Sequence, residues 1–146
     1  MNRRYSPSVV VAVLIAVSVA GCAGASQNYK SMSQQVSSAS SSIRSVAIAL
    51  SQESAGKGLS SMTDTSVEEA VTKVIGADSQ LAAMAVTGTE GAARDHALDR
   101  VRRAEDALLA IRSDLSTRRM SAFGDNSQLV AIAKKLQALS TSLENR

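Results

Sequence analysis

C-terminal to residue 28, apolar residues recur at alternating steps of three and four, the spacing of the buried seam between packed helices. The first run is Tyr29, Met32, Val36, Ala39, Ile43, Val46 and Leu50. The second is Val67, Ala70, Val74, Ala77, Leu81 and Met84. The third is Ala97, Val101, Ala104, Leu108, Ile111 and Leu115, and the fourth is Leu129, Ile132, Leu136, Leu139 and Leu143. No stretch sustains the strict apolar/polar alternation of a half-buried strand. The runs predict helices near 29–54, 65–87, 90–116 and 126–144. Helices of about 20–27 residues are roughly 30–40 Å long. Short connections favour antiparallel neighbours, so the expected fold is all-α, a slim antiparallel up-down-up-down four-helix bundle over 29–146. The fourth run has Leu or Ile at all five positions and is expected to supply the largest seam side chains.

Boundary signals fit these helices. Gly56 and Gly58 follow the first run. Thr65-Ser66-Val67-Glu68 matches a capping box for the second helix, with Glu68 and Glu69 favourably placed in its first turn. Gly88 is expected to end that helix, and Thr87-Gly88-Thr89-Glu90 forms a second box opening the third. Gly124 separates the third and fourth runs, and Asp125 or Asn126 is a candidate cap for the fourth. Gly76 is the one poor helix former inside a helix, and it marks a kink, a close helix contact or simple tolerance. Residues 31–42 are the least regular part, since seven of the twelve are serine, a mediocre helix former. Met32, Val36 and Ala39 keep phase with Ile43 and Val46, which favours helix. The alternative is a tether extending to residue 42.

Ahead of the seams lies a different pattern. Met1-Asn2-Arg3-Arg4 is basic, and the twelve residues Val9 to Ala20 are apolar except Ser18. A membrane-spanning helix needs about 20 apolar residues, whereas a secretory signal peptide needs roughly 7–15. Val19-Ala20-Gly21-Cys22 then closes the stretch. It resembles the lipobox of bacterial lipoprotein precursors: an aliphatic residue, two small residues and a cysteine. The resemblance covers about 22 residues and names a processing class. It implies removal of a signal peptide, residues 1–21, by a cut between Gly21 and Cys22, and diacylglyceryl attachment to the Cys22 sulfur. Residues 22–28 then form a lipidated tether. An ordinary signal peptide, or an uncleaved anchor, is the alternative reading of the same segment. Arg3-Arg4 fits a twin-arginine signal poorly, because Tyr5-Ser6-Pro7 follows in place of an apolar pair. The implied location is a bacterial membrane: the outer face of the plasma membrane or, since Ala23 rather than Asp follows the cysteine, the outer membrane of a Gram-negative cell.

Composition narrows the chemistry. The net charge is +3, from 16 basic and 13 acidic residues. Without Arg3 and Arg4 the remainder has 14 basic residues against 13 acidic, which removes the main support for nucleic-acid binding. One cysteine excludes an internal disulfide, and one cysteine with one histidine excludes a Cys/His zinc site within one chain. Two Tyr, one Phe and no Trp leave little to line a ligand pocket. His96 stands near Asp95, Asp99 and Arg100, but no second His, Cys or Ser completes a site around it, so a solvated helix-face position is favoured. Gly56-Lys57-Gly58 lacks the flanking residues of a phosphate loop.

Arg94, Arg100, Arg102, Arg103 and Arg112 interleave with Asp95, Asp99, Glu105, Asp106 and Asp114 along the third helix. Asp99–Arg103, Arg102–Asp106 and, on the second helix, Glu69–Lys73 have the spacing of i,i+4 ion pairs. A salt-laced solvated face is favoured over a docking strip. Arg118, Arg119, Met120 and Phe123 form a candidate contact loop, an apolar pair flanked by cations, with plugging of the bundle end as the plainer role. No catalytic residue, cofactor site or metal site is indicated. The expectation is a non-enzymatic structural or protein-interaction module, tied to the membrane through Cys22, with a protein partner or self-association and no nucleic acid. The alternative is an inhibitor or phage-exclusion lipoprotein of the same architecture; a small-ligand-binding lipoprotein or an enzyme ranks behind both.

Overall fold

A computed structural model describes residues 24–117 and 126–146. Among them are four helices and no strand: α1 (Gly24–Ser54), α2 (Ser60–Ala82), α3 (Gly88–Ser116) and α4 (Asn126–Glu144). The helices pack against one another in a bundle-like all-α fold. The lipobox, Cys22 and the loop residues Arg118, Arg119, Met120 and Phe123 lie outside the described residues.

α1 is the hub. It packs most extensively on α4, then on α2, and also touches α3, whereas α3 and α4 meet only slightly. A helix surrounded in this way must bury more than one stripe. Its first-run residues are all buried, and Ser33, Ser40, Ser42 and Ala47 are buried beside them. Helix therefore prevails over tether for residues 31–42. The helix begins at Gly24, five residues before the expected start, so 24–28 are helical where a tether was expected. Asn28 Nδ2 donates to Glu90 Oε2 at 2.7 Å and joins this first turn to α3. Arg146 lies over the Tyr29 ring, 5.8 Å from its centroid.

The serines are tolerated because their hydroxyls have partners. Ser42 Oγ and Ser45 Oγ donate to the carbonyls of Ser38 and Ser41, one turn back. At the α1–α4 contact Ser33 Oγ donates to the Ser140 carbonyl at 3.0 Å, and the two hydroxyls are 2.9 Å apart. Ser40 Oγ donates to the Ala133 carbonyl at 2.9 Å, and Asn126 Nδ2 to the Ala47 carbonyl at 2.7 Å. Residues 33, 40 and 47 thus pair with 140, 133 and 126, a seven-residue repeat on both helices. Such small side chains let two backbones approach closely, and a buried hydroxyl with a carbonyl partner avoids the cost of an orphaned donor.

This contact corrects the phase of the fourth seam. The buried residues of α4 are Leu129, Ala133, Leu136, Ser140 and Leu143, while Ile132 and Leu139 are only partly buried at its flank. α4 therefore presents alternating large and small residues to the core, in place of five large ones.

Several ends also differ from expectation. α2 starts at Ser60, one turn early, because Thr63 is buried in phase with Val67 and extends the stripe backwards. Thr65 is thus inside the helix, its hydroxyl donating to the Ser61 carbonyl, and Glu68 and Glu69 are beyond the first turn. α2 ends at Ala82; Met84 and Val86 pack against the core from the connection that follows. Gly88 opens α3 with φ +61°, and the Thr87 side chain makes no capping hydrogen bond. Asn126 is the first residue of α4, with its side-chain amide turned to α1. Gly56 ends α1 as expected, with φ +68°, in the left-handed conformation common after a helix. Gly76 has open space where a Cβ would stand, so it makes no close contact.

Candidate functional site

His96 is exposed, with Arg100 Nε 3.5 Å from its Nε2. Among the described residues no cluster of three or more His, Cys, Asp or Glu is arranged to hold a metal ion. At Gly56-Lys57-Gly58 the three backbone N–H groups are already used, donating to the carbonyls of Glu53 and Gln52, and so cannot cradle a phosphate. The Gly58 Cα faces the α1 backbone so closely that a Cβ there would stand 3.1 Å from Glu53 N.

The α3 arginines are largely engaged. Arg94 pairs with Asp95 at 2.8 Å and also donates to the Met84 carbonyl, holding the α2–α3 connection. Arg103 pairs with Asp99 at 3.1 Å, as its spacing predicts. Arg102 does not take Asp106; it crosses to Asp78 on α2 at 2.9 Å, and Arg112 crosses to Glu68 at 2.7 Å. Glu69–Lys73 is not among the ion pairs of the described residues. These are exposed pairs, each contributing about 0–1 kcal/mol. Two of them, Arg102–Asp78 and Arg112–Glu68, tie α2 to α3.

A different surface stands out. Of six exposed large apolar side chains among the described residues, four gather around the C-terminal half of α1. Ile48 is 59% exposed, Leu59 67% and Met62 62%, and Val130 is also exposed. Ile48 and Gln52 line both of two adjoining grooves. One, between α1 and α4, has a volume of about 420 Å³ and is lined by Arg44, Ala47, Ile48, Ser51, Gln52, Asn126, Val130 and Lys134. The other, about 230 Å³, lies between α1 and the start of α2, where Ile48, Leu59 and Met62 line it with small and polar residues. Among the described residues neither groove has a carboxylate in its lining. Asn126 Oδ1, in the lining of the first groove, is buried with no hydrogen-bond partner among the described residues.

These residues were missed by the reading of seams because each falls off the 3,4 repeat. That was the available signal: a large apolar residue out of phase with its own helix, such as Ile48 or Val130, either packs on a flank or faces solvent. Contiguous apolar surface of this kind marks interaction sites more often than isolated exposed residues do. No helix among the described residues is long and apolar enough to cross a membrane. The chain matches no protein-family model, no curated protein and no solved structure.

Proposed function

We propose that this chain is an envelope lipoprotein anchored through Cys22, whose helical domain is a non-enzymatic protein-interaction module. The observation that carries the module reading is the apolar strip Val130–Ile48–Leu59–Met62 with its two grooves. The anchor rests on the sequence pattern ending at Cys22. The domain is an antiparallel up-down-up-down bundle. In support, partner numbers fall along α4 as they rise along α1, from Ser33–Ser140 to Ala47–Asn126. They likewise fall along α3 as they rise along α2, from Glu68–Arg112 to Asp78–Arg102.

In this arrangement the lipid and the strip are at opposite ends. Cys22 precedes Gly24 by two residues, and Ile48 lies about 36 Å farther along α1 at about 1.5 Å per residue. The anchor supplies location and α1 acts as a post that holds the strip away from the headgroups. Two measurements test the proposal. Intact mass of the chain from membranes should show loss of residues 1–21 and an added lipid, and Cys22→Ala should abolish both; an unmodified Cys22 thiol refutes the anchor. A photo-crosslinking side chain at Ile48 should give a discrete protein adduct in cells, and one at exposed Lys73 should not. Equal or no adducts at the two positions refute the module.

A further inference from the structure

We infer that the α1–α4 groove takes an acidic amphipathic helix from a protein partner. This rests on the interaction-module reading and names the chemistry of its partner. Its apolar lining is Ala47, Ile48 and Val130, and Arg44 on α1 and Lys134 on α4 line it from the two helices. Neither cation has an ion pair among the described residues, whereas Arg94, Arg102, Arg103 and Arg112 are each paired with an acid. Two cations without an ion pair among the described residues, on either side of apolar side chains and with no carboxylate among the described lining residues, complement a helix that carries apolar residues on one face and acids beside them. The concave shape between two helices suits a third helix laid along it. A bilayer is met more readily by a protruding apolar edge, and in a second copy of this chain four of the acids, Glu68, Asp78, Asp95 and Asp99, are already engaged in ion pairs.

The test uses the full chain in nanodiscs of zwitterionic lipid. Two labelled helical peptides of about 18 residues are titrated by fluorescence anisotropy. Both carry leucines at helical spacing; one has Glu on the flanks and the other Lys. The Glu peptide should bind, about tenfold or more tighter than its Lys twin, with a preference that shrinks as salt is raised. Ile48→Asp should weaken it by about thirtyfold or more, as expected for a central anchor. That side chain is 59% exposed, so the fold should tolerate the change. The double variant Arg44→Glu/Lys134→Glu should invert the preference between the peptides. Equal binding of both peptides, still lost in Ile48→Asp, overturns the acidic partner while leaving the groove a helix site. Binding of neither peptide overturns the inference, and the in-cell adduct at Ile48 then shows whether the module reading survives it. Association with anionic vesicles in place of the Glu peptide, or self-association abolished by Ile48→Asp, overturns it in favour of a membrane or a second copy.

Discussion

Ser40 offers the sharpest probe of the packing. It is fully buried, and its hydroxyl donates to the Ala133 carbonyl of α4 at 2.9 Å. Replacing it with leucine adds bulk inside the buried α1–α4 contact. Overpacking of this kind costs about 1–3 kcal/mol, and loss of the hydrogen bond about 1 kcal/mol more. The better helix propensity of leucine returns only a few tenths of that. The expected loss for Ser40→Leu is therefore about 2–4 kcal/mol. Ser40→Ala removes the same hydrogen bond but also the donor, and the Ala133 carbonyl keeps its place in the α4 ladder. With about 0.5 kcal/mol gained in helix propensity, the net loss should be about 0–1 kcal/mol. For a domain of this size each kcal/mol moves the melting temperature by about 3–6 °C. Thermal melts followed by far-UV circular dichroism should place Ser40→Leu roughly 10 °C or more below the parent, with Ser40→Ala within about 5 °C of it. A Ser40→Leu chain that melts with or above the parent refutes the close α1–α4 contact. Ser40 would then face solvent, and the core-facing side of α4 would be Ile132 and Leu139.

Leu136→Ala, at a fully buried position in the middle of α4, should cost about 2–5 kcal/mol in chemical denaturation. Gly76→Ala should stabilise the chain by about 0.5–1 kcal/mol, because a Cβ there meets nothing within 4 Å. Gly56→Ala, at φ +68°, should destabilise by about 1–2 kcal/mol in the same melts, so two identical exchanges move stability in opposite directions. Arg102→Ala should change stability by no more than about 1 kcal/mol, and raising salt should shrink that effect, since the pair with Asp78 is exposed on the arginine side.

The 3,4 spacing of apolar residues, with no proline C-terminal to Pro7, was enough to establish an all-helical chain and its principal buried positions. Every residue of the first run is buried, as are Val67, Val74, Leu81, Val101 and Leu108 from the second and third. Helical periodicity sets the angle at which each side chain leaves its own axis, and a residue at the centre of an apolar stripe is covered whichever neighbour arrives. Residues at the edges of a stripe are another matter. Ser33 and Ser40 are buried and Ile132 is not fully covered because α4 lies against the serine side of α1, and that approach depends on both helices at once. The seven-residue spacing of 33, 40 and 47, and of 126, 133 and 140, was present in the chain, but small residues carry no hydrophobic signal of their own. The start of α2 moved for the same reason: burial of Thr63 lengthened it backwards beyond its apparent capping box. The strip around Ile48 likewise exists only after folding, since Val130, Ile48, Leu59 and Met62 belong to three helices or their edges and become neighbours when those helices pack.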